Sequence, residues 1–285
     1  MGIANITDEQ VEAFGRDGSV TVDTPLTTQT LDAASRLMDE RLSLSSDKRN
    51  PPGSVPQRFR IKQNQTLDPP FVRIVEEPFL ERLAQRLLHT DSVILKEASL
   101  RNTYPQPGAQ FEMTEHTDMT LSLSDLESRP RRMSVGLFVW ISDVDEQCAP
   151  LMIRPGSHRQ IAQFMGDNPR YIHGPWKQEE FVNVPDASSL PVGIGTFPDQ
   201  WPDLEYADPV ACVARAGQVT AVNPATIHGA STNVGRTNRK TLIIGMQPKS
   251  IELGETKQRH EGRVEYLRRI RNVLSPHRRH IALGC

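Results

Sequence analysis

The 285 residues carry 33 Lys and Arg against 35 Asp and Glu, a net charge of −2, so no overall positive field draws the chain to nucleic acid or anionic lipid. No apolar run approaches the roughly 18 residues of a membrane span, and the opening Met-Gly-Ile-Ala-Asn-Ile lacks both a basic leader and, with Ile6 where Ser or Thr is needed, a myristoylation signal. The balanced charge points to a small-molecule partner, and the widely spaced Cys148, Cys212 and Cys285, with no disulfide framework and no Cys-x-x-Cys knuckle, point to a reducing, cytoplasmic setting; the sequence says nothing of oligomeric state.

Thr7-Asp8-Glu9-Gln10 has the Thr-x-x-Gln form of a capping box; Val11 and Phe14 give the following helix an apolar side, and Gly18 stops it. Ser19–Val22 reads as a short strand. A second helix, starting near Thr28, carries Leu31, Ala34, Met38 and Leu42 at helical spacing and is expected against a sheet. Ser43 to Pro70 is rich in Ser, Pro, Asn and Gln and reads as a long loop, whose Arg58, Arg60 and Lys62 are either substrate contacts or a solvated basic edge. Pro78 suits the first turn of a third helix that buries Leu80, Leu83, Leu87 and Leu88.

From residue 92 the texture changes to short β runs broken by Pro and Gly: Ser92–Leu95, Ala98–Leu100, Met133–Ile141, Leu151–Ile153, Val210–Val213, Val219–Val222 and Thr241–Met246. Such a series predicts a mainly β fold, a double-stranded β-helix (jelly-roll, cupin-like) core with N-terminal and flanking helices. The expectation is one domain over 1–285, with a helical flank and loop at 1–90, the core at 91–250 and a C-terminal helix and tail at 251–285.

Within the stretch Phe111–Thr120, His116 and Asp118 stand two apart, a spacing that puts both on one face of a strand and would separate them on a helix. A convergent imidazole and carboxylate fit the two-histidine, one-carboxylate face of non-haem iron(II), which leaves positions open for a co-substrate and oxygen. A surface strand with two polar residues would look the same. The third ligand has a candidate in His228, after a β run and beside Gly229. Arg239 follows eleven positions later, and strand-turn-strand pairing would bring both into one pocket, where a buried guanidinium demands an anionic partner such as a dicarboxylate.

These residues carry a resemblance. The chain resembles the phytanoyl-CoA dioxygenase family of iron(II)- and 2-oxoglutarate-dependent oxygenases, which includes ectoine hydroxylases, through Thr7–Gly18, His116-Thr117-Asp118, Ala149–His158 and His228–Asn233 running to Arg239. The resemblance implies that His116, Asp118 and His228 hold Fe(II) and that Arg239 holds the distal carboxylate of 2-oxoglutarate, with O2 as oxidant. The retained carboxylate of Asp118 favours hydroxylation or another oxidation, with release of succinate and CO2, over halogenation. Asn102, with Tyr104 second, is the candidate for the carboxylate near the metal. Ala230 stands where relatives often have Ser, and Ser231 is the candidate to replace it. His158 reads as the structural end of a Pro-Gly-Ser-His turn. His173, Trp176, Phe197 and Trp201, in the long segment 160–208, are either a pocket cover or aromatics packed under a loop, and the Arg-rich tail 263–280 is expected to be a solvated helix and terminus. Two other classes use some of the same residues: a cupin-like metal-dependent hydrolase or isomerase has no need of Arg239, and a non-catalytic small-molecule binder needs neither metal nor Arg239.

Overall fold

The capping box forms as spelled. The Gln10 side chain accepts from the Thr7 N–H at 2.9 Å while the Thr7 hydroxyl accepts from the Gln10 N–H at 3.3 Å, which starts α1 (Asp8–Asp17), and Gly18 at φ 84° ends it. A computed structural model describes residues 6–44, 58–61, 66–166, 181–182 and 195–282.

Among the described residues ten strands make two antiparallel sheets. The large one runs in the order β1 (Ser19–Val22), β9 (Val219–Val222), β5 (Val135–Trp140), β11 (Arg239–Pro248), β3 (Val93–Thr103), β2 (Arg58–Ile61). The small one runs β4 (Met113–His116), β10 (His228–Ser231), β6 (Leu151–Ile153), β8 (Val210–Cys212). A two-stranded ribbon, β7 (Phe181–Val182) with β12 (Glu255–Thr256), stands apart from both. This is a double-stranded β-helix core with flanking helices.

Alternation sorts the large sheet into two faces. Leu100, Leu242, Val139 and Val219 lie in one cross-strand row, and Ala98, Ile244, Leu137 and Ala221 in the next. Both rows join the main core with Phe79, Leu80, Leu83 and Leu87 of α4 (Pro78–Leu88) and Leu267 and Ile270 of α7 (Lys257–Val273). Each such buried leucine contributes roughly 2 kcal/mol of apolar transfer, so the helical layer anchors the sheet from behind. On the opposite face Phe138, Trp140 and Val222 pack with Leu151, Ile153 and Cys212 of the small sheet. The functional side chains lie on these inner faces.

Several expectations need correction. Ser92–Leu95 and Ala98–Leu100 are one strand, because the register shift between Gly245 and Met246 leaves Lys96 without a cross-strand partner and absorbs the polar Lys96-Glu97 pair as a bulge. A strand, Arg58–Ile61, and a short helix, α3 (Pro69–Val75), break the loop read from Ser43 to Pro70; Lys62 lies outside the described residues. The tail is packed rather than solvated throughout: Arg278 is buried on Glu81 at 2.5 Å, Arg263 grips Glu255, and Ile281 and Ala282 join the core. No described helix is long and apolar enough to cross a membrane.

Candidate metal centre

β4 ends at His116, and Asp118 stands beyond it in a bend, so the strand alone does not align the pair. Thr117 does. Its N–H and C=O each bond Thr196 at 3.0 Å and the two hydroxyls meet at 2.6 Å, an isolated bridge to another segment that keeps the backbone extended for one more residue and leaves His116 and Asp118 together on the other side. The carbonyl of Pro224 then accepts from the N–H groups of Asp118, at 2.7 Å, and Met119, at 3.1 Å. His228 follows β9 through the turn 223–227 and opens β10, and its register partner is His116.

The three side chains converge. Nε2 of His116 and Nε2 of His228 each lie 3.5 Å from a different carboxylate oxygen of Asp118, the imidazole centroids are 4.5 Å apart, and one ligand atom from each residue falls within 4.8 Å of the others. Metal–ligand bonds of about 2.1 Å at right angles separate neighbouring donors by about 3 Å, so the cluster is close to the size of a coordination sphere. Nδ1 of His228 donates to the Thr226 carbonyl at 2.8 Å, which leaves Nε2 as the lone-pair donor. Solvent reaches 61% of the Asp118 side chain. Burial around it opposes ionisation, yet hydrogen bonds and charge from His116 and His228 hold its carboxyl well below the usual range. The same pairing outweighs burial at His228 and raises its pKa, so a metal must displace that proton. Two imidazoles and one carboxylate suit a divalent first-row ion and leave further positions open.

The motif residues that hold no metal build the support beneath His228. The Ser157 hydroxyl accepts from the Ile227 N–H at 2.9 Å and donates to the Arg154 carbonyl at 2.8 Å, and the Arg154 N–H donates back to the Ile227 carbonyl at 2.9 Å. Arg154 also forks onto Glu115 of β4 at 2.6 and 3.2 Å, tying the strands of both histidines to one turn. Gly18 meets the same node: a Cβ there would fall 2.0 Å from Thr226 Oγ1 and 2.9 Å from His158 Nδ1. His158 is buried, its Nε2 facing the Gly15 carbonyl at 3.3 Å, and burial pushes its pKa down to about 4, so it stays neutral. It lies outside the ligand cluster.

Arg239 arrives from the other sheet. β10 and β11 do not pair; the chain crosses between sheets from Ser231 to Arg239, so no hairpin forms and the guanidinium approaches from the facing wall. It is 4% exposed, donates from Nη1 to the Ala149 carbonyl at 2.7 Å and lies 5.9 Å from the Trp140 ring centroid. The strand rows give it four neighbours on that face: Thr103, directly opposite, and one row along Arg101, Thr241 and Trp140. The hydroxyls of Thr103 and Thr241 are buried and make no hydrogen bond among the described residues. Unpaired buried hydroxyls beside a buried cation fit an anionic ligand. The sequence reading missed both, although alternation from Arg239 would have found Thr241.

The other candidates go elsewhere. Asn102 is paired with Lys240 one residue out of phase with Arg239, so it faces the helical layer, where Lys240 binds Asp39 at 2.7 Å; Tyr104 lies in the field of the same Asp39. The Ser231 hydroxyl donates to the Pro150 carbonyl at 2.8 Å, and alternation from His228 turns it to the outer side of β10. Trp201 donates to Thr196 Oγ1 at 3.2 Å. Burial raises the thiol pKa of Cys148 and pushes that of Cys212 up to about 12, so both stay protonated near neutrality. Arg58 and Arg60 are described as backbone only, and His173, Trp176 and Cys285 lie outside the described residues.

Residues 14–241 match the phytanoyl-CoA dioxygenase (PhyH) family. An ectoine dioxygenase of Bordetella bronchiseptica is 25% identical over 251 residues, which cover 84% of this chain and 74% of that protein. Among solved structures, EctD from S. alaskensis with bound Fe is 19% identical with a TM-score of 0.54, covering 89% of this chain and 80% of that one. The epimerase SnoN in complex with Fe3+, alpha ketoglutarate and nogalamycin RO is 18% identical with a TM-score of 0.53, covering 85% and 83%. At these identities the structural likenesses show the fold.

Proposed function

Because the chain belongs to the phytanoyl-CoA dioxygenase family, and so is an iron(II)- and 2-oxoglutarate-dependent dioxygenase, we propose that it hydroxylates a small molecule, with His116, Asp118 and His228 as iron ligands and Arg239 as the grip on 2-oxoglutarate. One observation carries the reading: two imidazoles and a carboxylate converge within 4.8 Å, while a buried guanidinium and two unbonded hydroxyls line the facing sheet. A metal-dependent hydrolase, an isomerase or a non-catalytic binder would leave that second group without a task. The catalytic unit is taken to be the whole chain, 1–285.

Iron with 2-oxoglutarate and oxygen supplies the oxidising chemistry, and 2-oxoglutarate leaves as succinate and CO2. The chain's own residues position and exclude. Arg239 fixes one end of the dicarboxylate through its planar fork, and Thr103 and Thr241 supply hydroxyls to the same carboxylate. Phe138, Leu151, Ile153 and Val222 pack between the two sheets and keep bulk water from the space there. His228 is held in one tautomer by Thr226, and Asp118 completes the triad, a carboxylate where chloride would otherwise enter. Purified protein given iron(II), oxygen and 2-oxoglutarate should form succinate, faster when its substrate is present. Protein that takes up iron but forms no succinate in any condition refutes the proposal.

A further inference from the structure

We propose that the molecule oxidised is an organic anion with an apolar face, its acidic group taken by Lys96 and its apolar part by Phe197; this rests on the functional reading above and adds the substrate class.

At the Lys96 end of the large sheet Gly136 and Gly245 are cross-strand partners, so two adjacent strands contribute no side chain to the inner face there, and Glu97 and Val222 flank that gap in the same row. A Cβ on Gly245 would meet Glu97 Cγ at 3.1 Å and Lys96 Cβ at 3.5 Å, which puts both side chains on that same inner side. The bulge turns Lys96 in where strict alternation would have turned it out. Lys96 is half-buried and makes no hydrogen bond or ion pair among the described residues. Its electrostatic neighbours are Glu97, Glu255, Arg259 and Asp118, and burial lowers its pKa. Glu255 is already gripped by Arg263 at 2.5 Å and His260 at 2.9 Å, and a dication on Asp118 would cancel the pull of that carboxylate. Glu97 is exposed and forms no ion pair with Lys96 among the described residues, so what remains is an ammonium on the inner wall within electrostatic reach of Asp118, a site for an acidic group.

Phe197 marks the other edge. In the Thr117–Thr196 pair the hydroxyls meet on one side, so the flanking residues lie on the opposite side, with Phe197 across from His116 and Gly195 across from Asp118. Phe197 is extended, at φ −115° and ψ 168°, and its N–H is held by the Gln200 side chain at 3.0 Å, so the turn Pro198–Gln200 fixes its direction. The ring is 57% exposed. A large ring held in place and left open beside a metal ligand offers an apolar surface to whatever enters, while Gly195 keeps the approach to Asp118 clear.

The test uses iron(II)-loaded full-length protein saturated with 2-oxoglutarate without oxygen, whose visible absorption is titrated with three probes: 3-phenylpropionate, 3-phenylpropionamide and butyrate. The expected result is that 3-phenylpropionate binds at least about tenfold more tightly than either of the others. Lys96→Gln should abolish the preference for acid over amide and keep the preference for the ring. Phe197→Ala should do the reverse, and Lys96→Glu, titrated also with 3-phenylpropylamine, should favour that amine over 3-phenylpropionate. Equal binding of acid and amide to the unaltered protein, an acid preference that survives in Lys96→Gln, or no probe binding to a centre whose absorption shows it loaded overturns the proposal. Failure of that absorption to develop with iron and 2-oxoglutarate alone counts instead against the functional reading beneath it.

Discussion

Arg239→Met isolates the co-substrate grip from the metal. The side chain is 4% exposed, rests against Trp140 and donates to the Ala149 carbonyl. Methionine keeps most of the length and the contact with the indole while removing the charge and the fork. A bidentate, charge-assisted contact to a carboxylate in a pocket is worth about 2–4 kcal/mol when one partner is removed, or roughly 30- to 1,000-fold in affinity. The 2-oxoglutarate concentration for half-maximal succinate release should rise by that factor. Iron content should not change, because no atom of Arg239 belongs to the ligand cluster. Leaving the Ala149 carbonyl without this donor costs about 1 kcal/mol, offset in part by no longer burying a cation, so Tm should move by only about a few degrees. Arg239→Lys should fall between, since an ammonium keeps the charge and loses the plane. Arg236, three residues earlier and exposed, is the control. A silent Arg239→Met, or the same loss in Arg236→Met, refutes the assignment of the fork.

Replacing His116, Asp118 or His228 by Ala should abolish iron binding, read by metal analysis, while circular dichroism stays that of the parent; a variant that keeps one iron per chain removes that residue from the ligand set. Ser157→Ala takes the acceptor from the buried Ile227 N–H beside His228, and should cost about 1–3 kcal/mol in denaturant unfolding and weaken iron retention without touching a ligand. For His158, burial puts the folded pKa at about 4 against 6.5 in the unfolded chain, so between those values only the unfolded chain takes up the proton. Its contribution is intact above pH 6.5 and is lost as pH falls toward 4, by on the order of 3 kcal/mol. His158→Gln should flatten that part of the stability curve, and an unchanged slope would show that another group titrates.

The fold was legible wherever local chemistry and burial agree. The capping box at Thr7, the stop at Gly18 and the leucine stripe after Pro78 each follow from residues a few positions apart. Legibility failed where a partner far along the chain decides. Nothing local says that Arg58–Ile61 is an edge strand, because its hydrogen bonds go to β3. The bulge at Lys96 is set by the strand opposite, not by Lys96-Glu97 itself. Arg278 reads as a solvated tail cation until Glu81 of α4 is placed next to it.

The site shows the same division. The spacing of His116 and Asp118 pointed to a shared face, and the two do share one, but the means is the Thr117–Thr196 pairing rather than a continuous strand. Asn102 shows the limit most sharply. Its residue type suits a carboxylate contact, yet one position along a strand reverses the face, and the chosen residue looks at the helices while Thr103 looks at Arg239. A motif can therefore identify the ligands of a metal, because their chemistry is rare. The wall of a pocket is made of common residues, and which of them face inward depends on strand register, including bulges such as the one that brings Lys96 to the inner face.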